Sequence, residues 1–277
     1  MPSTGSLPMY DLPALRSATD AWWSGLMRHM RRLGIKNIPI RRTNPVIDRI
    51  AHWQSPSLLL SQTCGHPFAT NLSDRVRVVA APCYDVADID GPFYRGTLIV
   101  SAESDINAVA DLEGATAVVN GTDSYSGFSA LWRILEPFLN NGPFLNDYWV
   151  SGAHPLSIEA VATGHADCAT IDAVTLALVS KVQPDLARHI KVLAPGSMAP
   201  ALPYITSGET SDETLTLLRA ALTDAVADPT LHPARQRLRI KGFEVRNNED
   251  YRPFAEWANA PIDKPFARHE VAPPEAE

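Results

Sequence analysis

Short apolar runs alternate with stretches of helical period along most of this chain, and that alternation limits its fold more than any other feature. Leu12, Leu15, Thr19, Trp22, Leu26, Met30 and Leu33 recur at steps of three and four, which predicts an amphipathic helix. Gly34 follows as its terminator. Residues 6–9 and 35–40 read as strands, and Asn44-Pro45 opens a helix running to about Trp53. Apolar strands are expected at 58–60, 76–81 and 96–100.

The next block repeats the theme. A strand at 115–119 leads into the polar loop 120–127, then a helix with Phe128, Leu131, Trp132, Leu135 and Phe138 on one face. A strand at 148–150 is followed by loop 151–154, with Pro155 a favourable first helical residue. A strand at 168–171 ends on Asp172 before a helix, and 191–193 is extended again. Residues 201–206 return as an extended segment, followed by helices around Leu215–Val226 and 233–238, a strand near 243–245 and a last helix. The tail after Pro261, rich in proline and glutamate, reads as disordered. Strands alternating with helices predict an α/β protein whose parallel sheets are covered on both faces.

The 277 residues suffice for two modest lobes or one large domain. A formal net charge of −7 argues against a nucleic-acid binder, which would usually show a basic stripe. The one basic cluster, Arg28, Arg31, Arg32, Lys36, Arg41 and Arg42, reads as a solvated helix face and turn. Cys64, Cys83 and Cys168 are widely spaced and form no metal-type pattern, so neither a disulfide nor a metal site is expected, and no cofactor. No apolar run reaches the length of a membrane span. Asp11, Arg16 and Asp20 interrupt the first thirty residues, which carry no secretory signature and read as cytoplasmic.

In open parallel sheets, ligands bind beyond the carboxyl ends of the strands. The strongest candidate is the loop Thr122-Asp123-Ser124-Tyr125-Ser126-Gly127, because it leads from a strand into a helix. A helix start attracts anions through its N–H groups and dipole, and Ser124 and Ser126 add neutral donors. The competing reading makes Asp123 or Ser124 only a helix cap. His154 and Asp172 stand at equivalent helix entrances, and capping is open to both. Tyr10 and Tyr94 stand at strand ends. Cys64 and His66, two apart, suggest a nucleophile and base, but triads are defined by spatial roles and not by adjacency.

The run Tyr94-Arg95-Gly96-Thr97-Leu98-Ile99-Val100, with Asp105-Ile106-Asn107, Asp111-Leu112-Glu113-Gly114, Asn120 to Phe128, Gly152-Ala153-His154 and 164–172, resembles the phosphate/phosphonate-type substrate-binding components of ABC importers. The resemblance implies a type II periplasmic-binding fold: two α/β lobes joined by two crossover strands near 94–100 and 201–206. It divides the chain into lobe 1 (1–96 and 201–277, with 262–277 a disordered tail) and lobe 2 (97–200). It further implies a monomer that closes over a small anionic ligand and partners an ABC permease, and an exported, periplasmic location. Ser124, Tyr125 and Ser126 would hold the ligand, with His154, Asp172, Tyr94, Tyr10 and Cys64 lining the same cleft. Tyr125 stands where the family has threonine, and Asp172 has no acidic companion matching the family's amine-binding pair. Two rivals share the fold: an enzyme working through Cys64, His66, His154 and Asp172, and a cytoplasmic ligand sensor. Fold alone does not separate them.

Overall fold

The computed structural model describes residues 3–43, 48–258, 265–268 and 270–274. Its strands, in chain order, are β1 (Thr4–Gly5), β2 (Leu58–Gln62), β3 (Val76–Tyr84), β4 (Phe93–Tyr94), β5 (Gly96–Ser101), β6 (Thr116–Val119), β7 (Asp147–Val150), β8 (Cys168–Asp172), β9 (Ile190–Pro195), β10 (Ala199–Pro200), β11 (Tyr204–Ser207) and β12 (Ile240–Glu244). The chain forms two compact units, Met1–Phe93 with Pro200–Ala255, and Tyr94–Ala199 with Glu256–Glu277.

The first unit contains the sheet β1-β2-β11-β3-β12. The predicted amphipathic helix begins with a 3-10 turn at Pro13–Leu15 and continues as Arg16–Arg32, burying Trp22, Trp23, Leu26 and Met30. Helix Asp212–Ala227 buries Leu215, Leu218 and Leu222. Residues 35–40 form no strand. Asn37 adopts a left-handed φ of 56° and Pro39 lacks an N–H, so neither supports a ladder, and Ile40 is 84% exposed. Asn44-Pro45 lies outside the described residues. The helix beyond it spans Arg49–Trp53 and is capped by Asp48, whose carboxylate accepts from Ala51 N at 2.9 Å. The basic cluster is partly paired: Arg42 reaches Asp11 and Asp20, each at 2.6 Å, and Arg28 reaches Asp228 at 2.6 Å.

The second unit contains the sheet β7-β6-β8-β5-β9. β6 runs parallel to β7 and β8, whereas β5 is antiparallel to β8 and β9. In the first unit β11 is likewise antiparallel to β2 and β3. The sheets are therefore mixed and not all parallel as expected. β12 is antiparallel to β3 as well. Of these antiparallel strands, β5 and β11 come soon after the points where the chain changes unit, between Phe93 and Tyr94 and between Ala199 and Pro200. A parallel pair needs a long crossover connection, and a strand that arrives from another unit is free of that requirement.

The chain changes unit a third time, between Ala255 and Glu256, where the resemblance implied two connections and a tail in lobe 1. The tail pairs alongside β7: Leu145 N donates to Pro265 O at 2.7 Å, Arg268 N to Asn146 O at 2.8 Å, and Val271 N to Tyr148 O at 2.9 Å. Phe266 packs on Tyr148 with ring centroids 4.5 Å apart and on Phe128 at 6.2 Å. One buried aromatic and the unpaired backbone of an edge strand order a segment whose composition reads as disordered. Residues 262–264 and 275–277 lie outside the described residues.

The helix expected after loop 120–127 is also broken up. It comprises a wide π turn at Tyr125–Ser129, an α-helix at Ala130–Leu135 and a 3-10 segment at Glu136–Asn141. Pro137, lacking an N–H, ends the α-helical bonding. Phe138 accordingly leaves the core face and is 37% exposed.

Candidate functional site

Strands β7, β6 and β8 present their carboxyl ends at one edge of the second unit's sheet, and each runs into a helical segment there. Three of the sequence-selected residues stand at these junctions: Ser124 after β6, His154 after β7 and Asp172 at the end of β8.

Ser124 is the cap of the wide turn, its Oγ accepting from Gly127 N at 3.2 Å. The turn is wide because Ser129 N as well as Phe128 N donates to Ser124 O, at 3.2 and 3.0 Å. That bonding leaves Gly127 O to accept from Thr170 Oγ1 of β8 at 2.9 Å. Gly96 of β5 lets the turn lie against the sheet: a Cβ there would meet Ser126 O at 2.5 Å and the Ala130 Cβ at 2.6 Å. Such wide turns recur at functional sites. Capping does not exhaust Ser124, because a hydroxyl that accepts through a lone pair keeps its O–H to donate.

Ser126 Oγ lies 3.0 Å from Nε2 of His154, the first residue of helix His154–Ala162. The residue as a whole keeps partial exposure, but its Nδ1 is sealed from solvent and has no partner among the described residues. Burial pushes the imidazole down to about 3, so it is neutral at physiological pH. Protonated at Nε2, His154 donates to Ser126 and leaves the serine hydrogen for a ligand.

Asp172 is 2% exposed and caps helix Ala173–Val182, its Oδ1 accepting from Val174 N at 2.7 Å and Thr175 N at 3.0 Å. These bonds spread its charge into the helix start.

Tyr94 and Tyr125 are almost fully buried, with ring centroids 6.0 Å apart. Trp257 stacks on Tyr125 at 4.8 Å, and the Arg133 guanidinium lies 5.0 Å from the centre of the Trp257 ring. Burial raises the Tyr125 phenol to about 12. The middle residue of the triplet thus builds an aromatic stack.

Tyr10 and Cys64 belong to the first unit. Tyr10 meets Tyr84 edge-on at 5.2 Å and, with Gln62, Trp22 and Tyr204, lines a cavity of about 20 Å³, room for a single water. Cys64, half-buried, precedes the short helical turn Gly65–Pro67. Sequence reasoning gave Thr170, Trp257 and Asn120 no role. Asn120 was legible in principle, as an Asn-Gly step at the end of a strand.

Burial pushes the thiols of Cys83 and Cys168 up to about 11 and about 12, and no disulfide joins the three cysteines. Among the described residues no cluster of His, Cys, Asp and Glu is suited to a metal, and no helix is long and apolar enough to cross a membrane.

Solved structures share this fold. PhnD1 from Prochlorococcus marinus, in complex with methylphosphonate, aligns over 92% of this chain and 97% of its own, with a TM-score of 0.77 and 13% identity. A binding protein component of an ABC phosphonate transporter from Pseudomonas aeruginosa aligns over 92% and 85%, with a TM-score of 0.73 and 16% identity. XAC2383 from Xanthomonas citri, bound to chloride, aligns over 92% and 95%, with a TM-score of 0.70 and 15% identity. At these identities the likeness shows the type II periplasmic-binding fold alone. No curated protein sequence matches the chain. The family described as "ABC transporter, phosphonate, periplasmic substrate-binding protein" matches residues 65–251, well over half of the chain. This protein therefore belongs to the phosphonate-type periplasmic substrate-binding components of ABC transporters, a family of solute-binding proteins for uptake and not of enzymes.

Proposed function

We propose that the protein binds a small tetrahedral oxyanion, a phosphonate or phosphate compound, at the carboxyl ends of β6, β7 and β8, and delivers it to an ABC permease from the periplasm. The observation that carries this reading is the Ser126–His154 pair beside the Ser124 cap, a set of neutral donors at helix entrances. An oxyanion needs several oriented donors and no counter-charge when N–H and O–H dipoles converge on it. The neutral imidazole fits that requirement, since it relays a hydrogen bond without adding a cation. Asp172, a buried carboxylate at this edge, is engaged as a cap. The methylphosphonate bound by PhnD1 of Prochlorococcus marinus supplies the first probe. Native mass spectrometry of the protein as purified, followed by calorimetric titration with methylphosphonate, phosphate, methanesulfonate and acetate, tests the reading. Saturable binding of a phosphonate or phosphate supports it. Binding of acetate alone, or of none of the four, overturns it. Fractionation of cells expressing the native gene tests the location, and a cytoplasmic pool alone would contradict that part.

A further inference from the structure

Asn120 directly follows β6 and faces the start of the wide turn. A Cβ placed on Gly127 would overlap its Oδ1 and come within 3.2 Å of the His154 ring. The amide oxygen of Asn120 therefore occupies the space that a side chain at residue 127 would take, against the Gly127 Cα–H. This contact explains why Oδ1 is buried without a conventional hydrogen bond. It also orients the amide, because the reverse assignment would press an NH2 hydrogen into the Gly127 Cα–H. The NH2 end consequently projects away from the turn. Unlike Oδ1, it is not sealed from solvent, and the Asn120 side chain makes no hydrogen bond among the described residues.

From this geometry we infer that Asn120 is an anion-binding residue: its NH2 donates to an oxygen of the tetrahedral ligand, and Gly127 positions it by leaving room for its carbonyl. The inference rests on the function proposed above and adds a donor from the residue just after β6 to those of Ser126 and the turn. Asn120 brings two N–H donors and no charge, in keeping with the neutral character of the site.

The test uses the full chain, with methylphosphonate as probe or with inorganic phosphate if that is the anion the parent binds. Four proteins are titrated: the parent, Ser126→Ala, Asn120→Ala and Asn120→Asp. Asn120→Ala should weaken binding about tenfold or more while leaving the apo melting temperature nearly unchanged, since no hydrogen bond within the protein is lost. Asn120→Asp keeps the shape but sets a carboxylate against the anion, and should weaken binding about a hundredfold or more. Gly127→Ala, which displaces the Asn120 carbonyl, should weaken binding in the same direction. If Ser126→Ala loses affinity while both Asn120 variants bind like the parent, the Asn120 assignment is overturned and the proposed site stands. If the parent binds neither anion, the functional reading fails and this inference with it. Should Asn120→Ala melt well below the parent, a structural role is indicated. Affinity of the folded Asn120→Asp protein then decides, and parent-like binding there also overturns the assignment.

Discussion

Ser126 Oγ stands 3.0 Å from His154 Nε2, joining the helix entrances that follow β6 and β7. The pair links two loops 28 residues apart in sequence. It makes the orientation of each donor depend on the other.

Replacing Ser126 with alanine should therefore weaken anion binding about tenfold or more, since a hydrogen bond to a charged group contributes roughly 1.5 to 3 kcal/mol. Ser124→Ala should also lower the apo melting temperature, because it removes a cap contributing about 1 kcal/mol. Titration and thermal melting of the two variants check this. Equal affinity in parent and Ser126→Ala would remove Ser126 from the site.

His154 makes stability depend on pH. Its folded value, about 3, lies below the ordinary histidine value of 6.5. The unfolded chain therefore takes up a proton that the folded protein refuses. Stability is fully present above about pH 6.5 and is lost as pH falls toward 3. Allowing for the residue's partial exposure, the loss between pH 7 and pH 5 should be roughly 1 to 2 kcal/mol. Denaturant melts of the parent and His154→Gln at both pH values measure it. An unchanged pH slope in the variant would show that other groups are responsible.

Asp172 should act through the backbone. Asp172→Ala removes the acceptor for Val174 N and Thr175 N and should destabilise the protein by about 1 to 2 kcal/mol. Asp172→Asn, which keeps an acceptor, should restore much of that loss. Urea midpoints of the three proteins decide, and an alanine variant as stable as the parent would contradict the capping role.

Phe266 anchors the C-terminal segment. Phe266→Ala deletes a ring 7% exposed and should cost about 2 to 4 kcal/mol unless the segment detaches. Limited proteolysis reports detachment as faster cleavage beyond residue 258. Parent-like stability together with parent-like proteolysis would show that the anchor contributes little.

Much of this protein is legible along the chain because the controlling interactions are local. The spacing from Leu12 to Met30 determines which face of the first helix is buried. The strand-to-helix junctions at Ser124, His154 and Asp172 follow from residue types suited to helix starts. What the chain does not reveal depends on contacts between residues distant in sequence. Antiparallel β5 and β11 reflect where the chain changes unit, which the apolar runs do not encode. The tail reads as disordered until Phe266 meets Phe128 and Tyr148, a pairing that no local window contains. The stack of Tyr125 with Tyr94 and Trp257 is likewise invisible in any local window. The Ser126–His154 hydrogen bond exists only because parallel pairing of β6 with β7 brings their carboxyl ends together. Sequence thus determined the elements and the residue types at their ends, and tertiary structure decided which of those ends share a site.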